Sequence, residues 1–276
     1  MPRSTLPTGM QLTDAAWATR PYGEVVDLAE QDGSVLVVPV GSLEQHGHHL
    51  PTATDTLLAD AVAHEGATRA DAPILVTPPV WTGLSPHHMP FGGTVTLERE
   101  DLETLLEGVA DAALENDFDA LLFLNGHGGN AALVEAVRAS VGADHPEAEV
   151  SSLTYFALAE GFADEIRDSG VGGAGHGGEF ETSLLLHLHP ELVDMERAAG
   201  TTMDEHYDLA RQDLFVSGPL AVYREFTEYS ESGAIGDPTL ATAEKGAELF
   251  DRLSDELAGL YGEIHEHNRD GGGSER

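Results

Sequence analysis

The chain has 276 residues, 41% of them hydrophobic, and sets 49 aspartates and glutamates against 13 lysines and arginines, for a formal charge of −36. That balance excludes nucleic acid and anionic membrane surfaces as partners, and the lack of cysteine excludes disulfides, thiolate metal ligands and a cysteine nucleophile. The acids are spread along the chain rather than gathered in a tail, the pattern of a protein solvated in a salt-loving cytoplasm.

Met1–Met10 lacks the basic and then apolar stretches of a signal peptide. No apolar run approaches the roughly 18 residues that a membrane span needs. A cytoplasmic location is therefore expected. Taken in chain order, "SVLVVPVG" (Ser34–Gly41) reads as a buried strand and Thr56–Ala70 as a helix. "APILVTPPV" (Ala72–Val80) is strand-like. Leu97–Leu114 carries Leu102, Leu105, Leu106, Val109 and Ala113 at helical spacing. "ALLFLNG" (Ala120–Gly126) is a second buried strand, Asn130–Ala139 a helix and Glu149–Tyr155 a further strand. Short apolar runs alternating with helices predict an α/β fold: a three-layer sandwich with a central, mostly parallel sheet flanked by helices. One domain over residues 1–268 is expected, with "RDGGGSER" (269–276) as a disordered tail.

In such sheets ligands sit beyond the carboxyl ends of the strands, and the polar clusters of this chain fall there. "GSLEQHGHHLPTATDT" (Gly41–Thr56) follows the first strand. Glu44 and His46, two apart in extended chain, point to one side and reach one metal site. Asp55 follows Pro51 at a helix start, where a carboxylate either caps the helix or bridges two metals. "LNGHGGN" (Leu124–Asn130) presents His127 at a strand end among glycines. The alternative, an anion-binding turn, lacks a basic partner, since the nearest is Arg138. In "GAGHGGEFETS" (Gly173–Ser183), Gly177 and Gly178 keep the segment in a loop, which leaves the facing of Glu179 and Glu181 relative to His176 open. "GLSPHHMPFGGTVTL" (Gly83–Leu97) reads as a loop over a site, whose His87 and His88 either touch substrate or cap a surface turn. His64, His145, His187, His189, His206, His265 and His267 read as structural or surface groups.

Histidines and carboxylates without cysteine suit zinc, manganese or iron(II). Two such ions sharing Asp55 would hold a hydroxide, a nucleophile at neutral pH, and polarise a carbonyl. A spare histidine would protonate the leaving nitrogen. The residues thus point to a dinuclear metal hydrolase of C–N bonds, with C–O or P–O esters as the lesser alternative.

These motifs, with "SPHHMPFGGTVTL" and "GAIGDPTLATAEKG" (Gly233–Gly246), resemble the creatininase (creatinine amidohydrolase) family over roughly Leu12–Leu260. The resemblance implies an α/β fold, often a hexamer, two divalent ions per subunit and a small-molecule amide substrate. By motif, Glu44, Asp55 and His127 resemble the ligands of one ion, and His46 and Asp55 those of the other. His176 resembles the catalytic histidine and Glu181 the active-site acid after it. Creatininase itself has a tyrosine and a glutamate where this chain has Gly128 and Gly129. Glu179 is therefore expected to replace the missing ligand, and Gly128, Gly129 and Asn130, with His87 and His88, to border the substrate. The lost tyrosine points away from creatinine. Relatives include an archaeal deformylase of a formamidopyrimidine nucleotide and a peptidase that trims the mycofactocin precursor.

Overall fold

The computed structural model describes residues 11–202, 207–210, 213–215 and 218–271. Four strands, β1 (Val35–Val40), β2 (Ile74–Val76), β3 (Ala120–Asn125) and β4 (Glu149–Thr154), form one parallel sheet in the order β2-β1-β3-β4. β1 and β3 lie at its centre, in register from Val35 against Ala120 to Val40 against Asn125. Both are buried along their whole length, which is why they read as unbroken apolar runs.

Successive side chains of a strand face opposite layers. Val35, Val37, Leu122 and Leu124 therefore join one core, against α2 (Thr54–Arg69), α6 (Glu179–Leu188) and α7 (Ala243–Gly271). Leu36, Val38, Leu121 and Phe123 join the other, against α1 (Tyr22–Ala29), α3 (Arg99–Leu114) and α4 (Ala131–Asp144). The short α5 (Ala163–Ile166) packs beside α7. The expected three-layer α/β sandwich is the observed one. Among the described residues no helix is long and apolar enough to cross a membrane.

Some boundaries differ from the sequence reading. α2 begins at Thr54, so Asp55 lies within its first turn rather than ahead of it. β2 is only Ile74–Val76, because Pro78 and Pro79 cannot continue the ladder, and contact resumes as a single bridge at Val80. α4 runs on to Asp144. α7 continues to Gly271, into the expected tail, and residues 272–276 lie outside the described residues, as does His206.

α2 lies against the ends of both central strands. A side-chain carbon on Gly126 would come within 2.7 Å of the Asp55 carbonyl oxygen and 2.9 Å of the Ala59 Cβ. Glycine there lets the first turn of α2 settle against the end of β3 and brings Asp55 up to the strand ends.

Further along α2, Asp60 is buried, with His64 Nε2 at 3.5 Å and His64 Nδ1 bonded to Thr13 Oγ1 at 2.7 Å. Burial pushes the Asp60 carboxyl from 3.8 to about 7. The folded protein thus holds a proton that the unfolded chain releases near pH 4. The stability gained is present at low pH and lost as pH rises from about 4 through 7. Asp60→Asn is expected to flatten that limb and to exceed the parent by up to about 4 kcal/mol at pH 8, at about 1.36 kcal/mol per pKa unit. Urea denaturation at pH 5 and pH 8 checks this; an equal loss at both pH values would contradict it.

Candidate metal centre

The site is assembled from the chain that leaves β1, the first turn of α2, the chain that leaves β3 and the loop into α6. Its centre is two carboxylates and two imidazoles, all buried. Asp55 divides its oxygens: Oδ1 lies 3.0 Å from His46 Nε2, and Oδ2 lies 3.2 Å from His127 Nδ1. Glu44 Oε1 lies 3.1 Å from His127 Nδ1, 3.2 Å from His88 Nε2 and 3.5 Å from His176 Nδ1. Its other oxygen, Oε2, accepts from Ser42 Oγ at 2.9 Å and Ser85 Oγ at 2.5 Å. Glu181 Oε1 stands 4.0 Å from His46 Nε2, while its Oε2 accepts the Gly177 amide at 2.6 Å.

The far nitrogens of the rings fix which atom faces the centre. His46 Nδ1 donates to the Glu44 carbonyl at 3.1 Å, and His127 Nε2 is oriented by the Leu84 carbonyl at 3.3 Å and Ser85 Oγ at 3.2 Å. In each ring the remaining nitrogen then turns a lone pair toward carboxylate oxygens. Lone pairs facing lone pairs need a cation between them, either a proton or a metal. Glu44 Oε1, Asp55 Oδ2 and His88 Nε2 sit within ion-pair distance of their neighbours yet out of hydrogen-bond alignment. Among the described residues, three groups have donor atoms within 4.8 Å of one another: Glu44, Asp55 and His127; His46, Asp55 and Glu181; Glu44, His46 and His176. The donor set and the orphaned atoms fit divalent ions, with carbonyl-oriented imidazoles of the kind that metal sites use.

The electrostatics carry the same signature. Burial pushes the Glu44 carboxyl up, but His127 and His88 more than offset this and hold it well below the usual range. Burial opposes charge on His46, yet Asp55, Glu181 and Glu44 raise it to about 9. His127 is likewise raised, by Glu44 and Asp55 against burial. His176 goes the other way: burial, then His46 and His88, hold it well below its ordinary value. Burial raises Glu181 to about 7 against the pull of His46.

The geometry sets Glu179 apart from the cluster. On a helix, two residues advance by about 200°, so Glu179 and Glu181 at the start of α6 face opposite ways. Glu181 points into the cluster. Glu179 accepts the amides of Asp168 at 2.9 Å and Ser169 at 2.8 Å and pairs with the Lys245 ammonium. It ties a loop down. Asn130 is also displaced from its expected place beside a substrate: it is fully buried, accepting the Leu84 amide at 2.8 Å and donating to the Gly41 carbonyl at 3.0 Å. It clamps the loop that carries Ser85, His87 and His88.

A cavity of about 450 Å³ opens onto the cluster, and His87, His88, Gly128 and Gly129 all line it with His176 and Glu181. No side chain fits at Gly129, where a Cβ would lie 2.6 Å from the Leu84 carbonyl oxygen and 3.0 Å from His87 Cε1. His87 stacks on His127 at 5.8 Å. Sequence reading missed Phe226, whose ring lies 4.1 Å from His88, 5.0 Å from His176 and 5.1 Å from His87. It also missed Arg224, Tyr223 and Tyr229 on the same wall. Their segment has neither helical nor strand periodicity and gave no signal.

Comparisons with known proteins agree with this architecture. The family model for creatininase, described as creatinine amidohydrolase, matches residues 20–261. The mycofactocin precursor peptide peptidase of Mycobacterium ulcerans is 37% identical over 235 residues, covering 80% of this chain and 82% of the relative. The 3-dehydro-scyllo-inosose hydrolase of Thermotoga maritima is 30% identical over 250 residues, covering 84% and 78%. A solved structure described as "Creatininase Mn" superposes with a TM-score of 0.78 at 25% identity, covering 93% of this chain and 99% of that one. On the sequence match, the shared fold and the buried histidine–carboxylate cluster, the chain belongs to the creatininase family of metal-dependent hydrolases acting on C–N bonds.

Proposed function

We propose that this chain holds two divalent ions and hydrolyses an amide near the end of a peptide. The observation that carries the two-ion reading is the division of Asp55, one oxygen toward His46 and the other toward His127. Glu44 and His127 would complete one site and Glu181 and His46 the other. Bound ions would lower the pKa of a water from 15.7 toward about 7 and polarise the amide carbonyl.

The chain's own groups supply the rest. His176 keeps its ring fixed by donating Nε2–H to the Gln45 carbonyl at 2.5 Å. Its neutral Nδ1 faces the cluster and is placed to take a proton from the attacking water and return it to the leaving nitrogen. Phe226 covers the imidazoles and keeps bulk water from them. His87, held neutral by burial at about 4, adds a flat uncharged wall.

The peptide reading draws on the 37% identity to the mycofactocin precursor peptide peptidase and on a cavity whose walls are mostly apolar. A flat cyclic amide or formamide stacked on Phe226 is the second reading. Peptides with apolar C-terminal residues, creatinine and a formamidopyrimidine nucleotide, run in parallel with manganese, zinc or iron(II) supplied, separate the two. Release of a C-terminal fragment, abolished by chelation and restored by metal, is the expected result. Turnover of only the ring or formamide substrates would reject the peptide.

The ligand assignment is tested by metal content after dialysis. Glu181→Gln is expected to weaken one of the two ions more than about tenfold. Glu179→Gln is expected to keep both ions while losing about 1–3 kcal/mol of stability, because the Lys245 pair is broken. The reverse pattern would restore Glu179 as the ligand.

A further inference from the structure

His46, His88, His127 and His176 stand around the buried carboxylates, and their outward nitrogens are bonded differently. His46 Nδ1, His127 Nε2 and His176 Nε2 each face a backbone carbonyl, at 3.1, 3.3 and 2.5 Å. A carbonyl only accepts, so each of these nitrogens carries the proton and the ring turns a lone pair inward. His88 is the exception. Its outward nitrogen, Nδ1, lies 2.8 Å from the side-chain nitrogen of Gln45.

The Gln45 amide fits only one way round. Its Oε1 accepts the Gly47 amide at 2.9 Å, and its Nε2 donates to the Gly233 carbonyl at 2.9 Å. Reversal would set oxygen against oxygen and N–H against N–H. A side chain at Gly233 would collide with this amide, so the groups are closely packed. The second N–H of Gln45 then has His88 Nδ1 as its acceptor. The other ring nearby, His176, presents Nε2–H at 3.4 Å and cannot accept. With Nδ1 accepting, the proton of the His88 ring is on Nε2.

His88 therefore turns an N–H toward the cluster where the other three rings turn lone pairs, and an N–H holds no metal. Glu44 Oε1 is 3.2 Å from it but out of line for a hydrogen bond, so this donor has no aligned acceptor. His176 Nδ1 converges on the same oxygen, at 3.5 Å. The His88 ring is fully buried, lies 4.5 Å from His176 and 4.1 Å from Phe226, and forms part of the cavity wall. A buried N–H without an acceptor is unfavourable. One placed beside the base, at the cavity, is satisfied when a substrate oxygen arrives.

We propose that His88 is a fixed hydrogen-bond donor to the oxygen of the amide being hydrolysed, and that Gln45 is the positioning residue that keeps its proton on Nε2. As water adds to the amide carbon, an electron pair moves onto the amide oxygen. The Nε2–H bond to that oxygen strengthens, and the proton stays on His88. When the C–N bond breaks, the pair returns to the carbonyl, and the proton that His176 took from the water goes to the nitrogen. The inference rests on hydrolysis of a C–N bond with His176 as base, and on neither choice of substrate.

The first test needs neither metal nor substrate. In NMR spectra of protein labelled at the histidine ring nitrogens, His88 is expected to carry its proton on Nε2, and in Gln45→Leu to show both tautomers. A proton on Nδ1 in the parent overturns the proposal whether or not a variant folds. An unchanged spectrum in Gln45→Leu overturns the role of Gln45. The second test is calorimetric binding of acetohydroxamate, whose anionic oxygen stands in for the charged amide oxygen, to the zinc-loaded protein. His88→Leu is expected to bind it about 10- to 100-fold more weakly, the range of one hydrogen bond to a charged group, with zinc content unchanged. His88→Gln, which returns an N–H near the place of Nε2, is expected to recover part of the loss. For any amide that is turned over, His88→Leu is expected to lower kcat about 100-fold or more with KM little changed. Equal hydroxamate affinities in parent and His88→Leu overturn the donor role. Zinc lost from His88→Leu overturns it in favour of a ring that only supports Glu44. A parent that takes up no zinc rejects the metal reading and the donor role with it. A parent that holds zinc and hydroxamate without help from His88 rejects the donor role alone.

Discussion

Asp55 faces two histidines at once, and the rest of the site is arranged around that demand. Its two oxygens reach these rings with the first turn of α2 pressed against the ends of β1 and β3, where glycine at 126 permits the approach. Glu44, Asp55 and Glu181 are then three carboxylates buried in one volume. Such a group is costly unless positive charge is threaded among the oxygens. Without ions, protons on His46 and His127 must serve, which is why both imidazoles are driven above their ordinary range. Divalent ions and these protons compete for the same lone pairs, so ion uptake releases protons and weakens in acid.

Around this centre the chain spends polar contacts on orientation. Ser42 and Ser85 hold one oxygen of Glu44 and so turn the other toward the histidines. Asn130 ties the loop of Ser85 to the end of β1. On the other side Lys245, the only lysine in the chain, reaches from α7 to Glu179 and Asp168. That tie fixes the loop running from Asp168 to the start of α6, which carries His176 and delivers Glu181. A residue expected to hold metal instead ties down the segment that carries Glu181.

The sequence made much of this visible because its signals are local. Buried central strands show as unbroken apolar runs, and histidines and acids placed just past them fall where a parallel sheet opens. The choice between Glu179 and Glu181 was not visible. It depends on the residue at which helical phase begins, and two glycines conceal that residue. The role of Asn130 was hidden for another reason: its partners are backbone groups at residues 41 and 84, which no spacing rule connects. α7 did leave a signal that went unread, with Leu249, Leu253, Leu257, Tyr261 and Ile264 buried at helical intervals. The wall bearing Arg224 and Phe226 left none, since irregular chain is positioned by what it packs on.

The formal charge of −36 and the buried cluster of carboxylates operate over different distances. Charges on the outer faces are screened within about 8 Å at physiological ionic strength, and within less in stronger salt. Inside the cluster the comparison changes. Glu44, Asp55 and Glu181 are buried, beyond the reach of that screening, so their charge is met only by what stands beside them: the imidazoles of His46 and His127, or a cation held between the oxygens.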